Sequence, residues 1–188
     1  VKYVLDLRDF PGDPCENVLV HDYNIILEDP EVEIVIEVMG GLKPAYDFVK
    51  AALDAGKSVC TSNKELVAKH GAELIRIAKS HNRNFLFEAS VGGGIPIIRP
   101  INMHITADKI CEITGILNGT TNYILTKMDK KGADFASTLK QAQDLGYAER
   151  NPEADIEGFD AVRKIAILAS LAKGKTVDFE EIYTEGIS

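Results

Sequence analysis

Residues able to do chemistry gather in four stretches of this chain: Thr61-Ser-Asn-Lys-Glu-Leu-Val-Ala68, Glu88-Ala-Ser-Val-Gly-Gly-Gly-Ile-Pro96, Gly115-Ile-Leu-Asn-Gly-Thr-Thr-Asn-Tyr-Ile-Leu125 and Gly146–Lys164. The last holds five carboxylates, Glu149, Glu153, Asp155, Glu157 and Asp160, in a loop and a helix start. Crowded carboxylates repel one another unless cations answer them. Asp160 and Lys164 stand four residues apart, about 6 Å along one helix face, where an acid can orient an ammonium. A lysine held in this way can give a proton to an oxygen gaining alkoxide character, and the remaining carboxylates suit a substrate ammonium. The competing reading is a solvated acidic loop favoured by the helix dipole, with Asp160 and Lys164 forming a surface pair worth about 0.3–0.5 kcal/mol.

Three β-branched runs, Glu33–Val38, Ser58–Thr61 and Phe85–Glu88, alternate with helical patterns. That alternation predicts β-α-β-α-β and a parallel, doubly wound sheet. The first helix is expected to open at Pro44 and stop at Gly56, burying Ala45, Phe48, Val49, Ala52 and Leu53. The second is expected from Lys64 to His81, with Leu66, Leu74, Ile75 and Ala78 inward. Val1–Arg8 reads as a further strand before a loop marked by Pro11, Gly12 and Pro14.

Open α/β sheets bind ligands beyond the carboxyl ends of their strands. Met39 and Gly40, with Gly41, follow one such end, and Lys64 follows another. A lysine in a first helical turn opposes the dipole, which points to a ligand there. The Met39–Gly41 stretch is either an ordinary βα turn or a place where glycine lets backbone approach a cofactor. Arg8 ends the opening strand, where dinucleotide folds read the adenosine ribose; an arginine there accommodates the 2′-phosphate of NADP. Asp6 and Asp9 flank it, so a simple ion pair is the alternative. No G-x-G-x-x-G precedes a helix, and Gly92–Gly94 has Ile97 where the third fingerprint glycine belongs.

Beyond Val91–Pro96 a strand-like run, Lys109–Leu117, is followed by helical patterns near Thr120–Lys130, Phe135–Leu145 and Phe159–Lys173, the last stopped by Gly174. The expected fold is therefore α/β: a partial Rossmann-type nucleotide-binding domain over residues 1–88, then an α+β substrate and dimerisation portion over residues 89–188. The glycine run is either a hinge or a loop whose carbonyls bind a hard cation. Asn118–Tyr123 reads as a turn and helix start with capping side chains.

The bulk numbers narrow the partners. With 188 residues, 45% apolar content and a net charge of −8, a globular chain is expected, without the concentrated basic face that nucleic acid requires. No apolar stretch approaches the ~20 residues of a membrane helix. Cys15, Cys60 and Cys111 form no C-x-x-C pair, and the four histidines show no metal-ligand spacing, which fits a cytoplasmic protein.

In order, spacing and content, the four stretches together resemble the homoserine dehydrogenases, and the resemblance spans almost the whole chain. It implies reversible NAD(P)-dependent reduction of aspartate 4-semialdehyde to homoserine, on the route to threonine and methionine, by a homodimer. It implies Lys164 as proton donor and Lys64 as a second cation lying between nicotinamide and substrate. Glu149, Asp155, Asp160 and Gly146 would hold the substrate; Arg8, Met39, Gly40 and Lys64 the cofactor. A sodium ion would take backbone carbonyls at Glu88, Val91, Gly93 and Ile95. The segment Asn118–Tyr123 would line the substrate cleft. On this resemblance the chain corresponds to the central part of such an enzyme, with the glycine fingerprint expected before Val1 and a closing strand and helix after Ser188. A non-catalytic remnant that binds substrate or dimerises is the alternative from another class. A second is a different Rossmann dehydrogenase, such as a sugar oxidoreductase, against which the acidic Glu149–Lys164 segment argues because a sugar offers no ammonium.

Overall fold

The apolar alternation of the first half folds into parallel strands joined by helices, and the second half folds into helices. The computed structural model describes residues 1–105 and 107–188. In chain order the elements are β1 (Val4–Leu5), β2 (Leu19–Val20), α1 (Asn24–Glu28), β3 (Ile34–Glu37), α2 (Ala45–Asp54), β4 (Ser58–Thr61), α3 (Lys64–Ser80), β5 (Phe85–Leu86), α4 (Ile98–Met103), α5 (Gly119–Lys131), α6 (Phe135–Asp144), α7 (Glu153–Ile156) and α8 (Phe159–Lys173). Three short 3-10 turns, Glu16–Val18, Glu88–Ser90 and Phe179–Glu181, complete the described elements. Contacts divide the chain into two units, Val1–Leu66 with His70–Phe87, and Val67–Lys69 with Glu88–Ser188.

In the first unit β3, β4 and β5 form a parallel sheet in that order, with Ile34 opposite Ser58 and Glu37 opposite Thr61. The crossover helices pack their apolar stripes inward: Ala45, Val49, Ala52 and Leu53 of α2, and Leu66, Leu74 and Ala78 of α3, are buried. Each such leucine contributes about 1.5–3 kcal/mol through removal from water. Phe48 and Ile75, also expected inward, are only half-buried. Lys57 is buried, and its ammonium donates to Asp29 O (2.7 Å) and Val32 O (2.9 Å), which fixes the loop entering β3. A separate parallel pair joins β1 to β2.

Two local expectations change. The opening strand is Val4–Leu5 rather than Val1–Arg8, because the ladder pairs only these two residues, with Leu19 and Val20. Lys109–Leu117 forms no strand, and no strand is found in the second unit among the described residues. A strand exists only when its backbone pairs with a neighbour; here Ile116 stays 75% exposed despite the β-branched composition.

The second unit packs α5 against α6 around Ile124, Ala142 and Ala148, with Tyr123, Met128, Phe135, Leu139, Ile156 and Ile187 enclosing them. Helix α8 buries Val162, Ala166, Ile167 and Leu168, and its first turn also buries Asp160. Gly158 precedes α8 at φ +82°, and a Cβ there would lie 2.9 Å from Thr184 Cγ2, so both backbone conformation and space call for glycine. The end of the chain returns to this corner, where the Ile187 amide donates to Ile156 O at 2.8 Å.

Candidate active site

Each unit presents candidate functional residues. In the first, one group lies at the carboxyl ends of β3 and β4. Glu37 and Thr61 end these strands, are register partners, and are both buried. The Thr61 hydroxyl donates to Glu37 Oε2 at 2.5 Å, while Glu37 Oε1 accepts from the amides of Met39 (2.7 Å) and Gly40 (3.2 Å). The Asn63 amide donates to Thr61 Oγ1 at 2.9 Å, and Asn63 Nδ2 donates to Gly41 O at 2.6 Å. Asn63 Oδ1 then caps α3 by accepting from Leu66 N at 3.0 Å. One continuous network therefore ties the turn after β3 to the turn after β4 and to the helix that Lys64 opens. A buried carboxylate satisfied by three donors avoids the large penalty of an unpaired one.

Met39 is half exposed. Gly40 and Gly41 have φ of +78° and +69°, and a Cβ added at either would find nothing within 4 Å, so the turn is open to an approaching ligand. Lys64 is half-buried at the first position of α3. Arg8 lies past β1 with its side chain 75% exposed, and its guanidinium forks onto Asp6 through Nε (3.0 Å) and a terminal nitrogen (2.9 Å). That fork holds the Asp6 carboxyl far below the usual carboxylate range. Asp9 pairs instead with His21, at 3.1 Å.

In the second unit Lys164 Nζ lies 2.9 Å from Asp160 Oδ2 and donates to Leu117 O at 2.8 Å. Side-chain exposure is 15% for Lys164 and 4% for Asp160. A charge pair removed this far from water needs good geometry and further hydrogen bonds to persist, and Asn118 supplies them. Its Nδ2 donates to Asp160 Oδ2 (2.9 Å) and to Asp155 Oδ1 (2.7 Å). Asp155, Asp160 and Lys164 are thus brought together. With two of its three N–H groups engaged, Lys164 keeps one without a partner among the described residues. Glu149 is exposed, and no side-chain bond joins it to this group among the described residues; Gly146 lies in the same exposed stretch at φ +76°.

Asn118 reads from sequence as part of a capping turn in a segment expected to line the substrate cleft, but its bridge between two carboxylates is not legible there. Its spacing to Thr121 signals a helix cap, but nothing local signals partners 37 and 42 residues away.

The glycine loop follows Glu88. The Glu88 carboxylate accepts from the amides of Ile97 (2.6 Å), Ile98 (2.8 Å) and Arg99 (2.8 Å), capping the start of α4. Burial pushes this carboxyl up, but the three amides outweigh it and hold the group below its ordinary value. A Cβ at Gly92 would meet Ile95 O at 2.7 Å, so the loop doubles back tightly on its own carbonyls. Among the described residues no cluster of three histidine, cysteine or acidic side chains is placed to hold a metal, and a cation here would depend on backbone oxygens.

Two family profiles match: "Homoserine dehydrogenase, NAD binding domain" over residues 13–88 and "Homoserine dehydrogenase" over residues 96–188. A homoserine dehydrogenase of Synechocystis is 49% identical over 170 residues, 90% of this chain and 39% of the relative. The crystal structure of a homoserine dehydrogenase from Thiobacillus denitrificans superposes with a TM-score of 0.87 at 48% identity, covering 90% of this chain and 39% of that one. A hyperthermophilic archaeal homoserine dehydrogenase in complex with NADPH has a TM-score of 0.80 at 33% identity, covering 88% of this chain and 51% of that one. The chain therefore spans about two fifths of the length of the Synechocystis and Thiobacillus proteins.

Proposed function

The chain belongs to the homoserine dehydrogenase family, and from that premise we propose that it takes part in the reversible NAD(P)-dependent interconversion of L-homoserine and L-aspartate 4-semialdehyde. The observation that carries the reading is the ammonium of Lys164, fixed by Asp160 Oδ2 and Leu117 O with one N–H left over.

In this proposal the spare N–H of Lys164 faces the carbonyl oxygen of the semialdehyde and gives it a proton as negative charge develops, or takes that proton back in the direction of homoserine oxidation. Asp160 and Leu117 O hold the donor in one orientation, which makes the proton transfer effectively unimolecular. Asp155 and Asp160, with Glu149 and Gly146 from the neighbouring loop, receive the amino-acid part of the substrate, where carboxylates match its ammonium. The nicotinamide, when bound, supplies or accepts the hydride.

The residues of the first unit suit such a cofactor. The Met39–Gly41 turn has unobstructed glycines, Lys64 offers a cation at the sheet's ligand-binding edge, and Arg8 carries a planar fork that matches a 2′-phosphate. For sodium, the oxygens are the carbonyls of Glu88, Val91, Gly93 and Ile95; the close return of Ile95 O toward Gly92 supports a carbonyl-lined loop. A homodimeric, cytoplasmic enzyme of threonine and methionine biosynthesis completes the proposal, on the strength of family membership. No described helix is long and apolar enough to cross a membrane, and the net charge of −8 disfavours nucleic acid.

The test is to express the protein from its complete reading frame, supply L-homoserine with NADP or NAD, and follow nicotinamide absorbance. Homoserine-dependent reduction of the cofactor is expected. A flat trace with both cofactors would sink the reading.

A further inference from the structure

Buried amides that satisfy every one of their hydrogen-bonding positions can act as rigid spacers, because a flipped amide would meet like partners. Asn118 is such a group. It is 9% exposed, and its Oδ1 accepts from Thr121 N (2.8 Å) and Thr121 Oγ1 (3.0 Å). Its Nδ2 spends one N–H on Asp155 Oδ1 at 2.7 Å and the other on Asp160 Oδ2 at 2.9 Å. A flip would turn Oδ1 onto two carboxylate oxygens and Nδ2 onto an amide N–H, so the observed orientation is locked.

We propose that Asn118 is a positioning residue for the proposed reaction: by bridging Asp155 and Asp160 while capping α5, it sets the spacing of the two carboxylates and, through them, the aim of the Lys164 ammonium. The proposal rests on reading those three residues as the substrate site. It follows from a closed ring of contacts. Asp160 Oδ2 accepts from both Asn118 Nδ2 and Lys164 Nζ, and Lys164 Nζ also donates to the carbonyl of Leu117, the residue bonded to Asn118. Both fixed points of the ammonium thus depend on where residues 117 and 118 sit. Two anions that would otherwise repel are held apart by one neutral amide donating an N–H to each.

The test uses N118D in the enzyme expressed from its complete reading frame, with L-homoserine as probe. Aspartate caps a helix as well as asparagine does, so a residue that served only as a cap should tolerate the change. The proposal expects kcat/KM for homoserine at neutral pH to fall about tenfold to a hundredfold, the scale of misplacing a reacting group by an ångström or less. It further expects the pH optimum to move to lower pH, because a proton shared within the enlarged carboxylate cluster replaces a lost N–H, while KM for the nucleotide stays within about twofold. N118A, which removes the amide without adding a charge, should lose activity with its pH optimum unmoved. Parental rate and pH profile in N118D would reduce Asn118 to a helix cap, and joint loss of nucleotide and homoserine affinity would make its role merely structural; either overturns the proposal.

A second measurement covers a variant that does not fold. In the unsubstituted chain the two Asn118 side-chain N–H resonances should exchange slowly with solvent, and D155N and D160N should each perturb a different one. Rapid exchange of both overturns the bridge. If the unsubstituted enzyme oxidises no homoserine, the functional reading falls by itself, and these resonances still decide whether Asn118 bridges the carboxylates.

Discussion

Glu37 and Thr61 end adjacent parallel strands as register partners, and the Thr61 hydroxyl donates to Glu37 across 2.5 Å. Paired residues on neighbouring strands point to the same face of a sheet, so the contact follows directly from the alignment of β3 with β4. Because Glu37 also accepts from Met39 and Gly40, and Thr61 from Asn63, one side-chain bond couples two loops at the carboxyl ends of β3 and β4.

Thr61→Val removes that hydroxyl at nearly constant shape. It leaves a buried carboxylate one donor short and the Asn63 amide without its acceptor. A loss of about 1–3 kcal/mol is expected, the usual penalty for stranding buried polar groups. Thr61→Ser keeps the hydroxyl and should lose less. Urea unfolding of the three proteins checks the order; a T61V protein as stable as the parent would remove the network from any account of the fold.

For Lys164→Met the expected outcome is a drop in kcat of about 10²-fold or more, the scale of general acid catalysis, with nucleotide affinity nearly unchanged. Stability should fall as well, because the buried Asp160 carboxylate loses the ammonium beside it; breaking such pairs costs about 3–5 kcal/mol. Steady-state kinetics beside thermal unfolding separates the two effects. An unchanged kcat would return Lys164 to a structural ion pair.

What the sequence makes legible depends on sequence distance. Asp160 and Lys164 are one helical turn apart, and the 3.6-residue period alone puts them on one face. The order of strands and helices in the first unit is equally local, carried by β-branched runs and apolar stripes. Asn118 is different, since its two carboxylate partners come from a segment about forty residues later that only α5 and α7 packing brings close. Glu37 reads from sequence as one more residue of an apolar strand, because its use depends on β3 and β4 pairing in one register. Lys109–Leu117 shows the opposite failure: its composition is that of a strand, yet a strand also needs a neighbour.

Glu88 gives a prediction in pH. Its folded carboxyl titrates below the ordinary value of 4.5, because the amides of Ile97, Arg99 and Ile98 overcome the opposing effect of burial. A depressed carboxyl contributes stability that is present above its unfolded value and lost as pH falls through the lower folded one. Unfolding free energy should therefore decline on acidification below about pH 4.5. Glu88→Gln keeps an oxygen acceptor but turns an N–H toward the start of α4. It should cost about 1–2 kcal/mol near neutrality, with the gap to the parent closing in acid. Parallel curves for the two proteins across that range would show that Glu88 does not report its cap through pH.

Arg8 gives the last prediction, and it concerns cofactor choice. Its guanidinium is already forked onto Asp6 through two hydrogen bonds, and both side chains reach solvent. An exposed pair of this kind is weak, so a dianionic 2′-phosphate that offers the same bidentate geometry can displace the carboxylate. Asp6 then becomes a competitor for the phosphate reader. Arg8→Ala should weaken NADP binding about tenfold or more, the scale of losing hydrogen bonds to a charged group, and leave NAD binding unchanged. Asp6→Asn should do the reverse for NADP, tightening it by freeing the fork and removing a like charge from beside the phosphate. Titration of both cofactors against the parent and the two variants provides the check. The pairing of opposite signs is what distinguishes a phosphate reader from a bystander: if Arg8→Ala weakens both cofactors together, or Asp6→Asn leaves NADP binding as it was, the preference is set elsewhere in the protein.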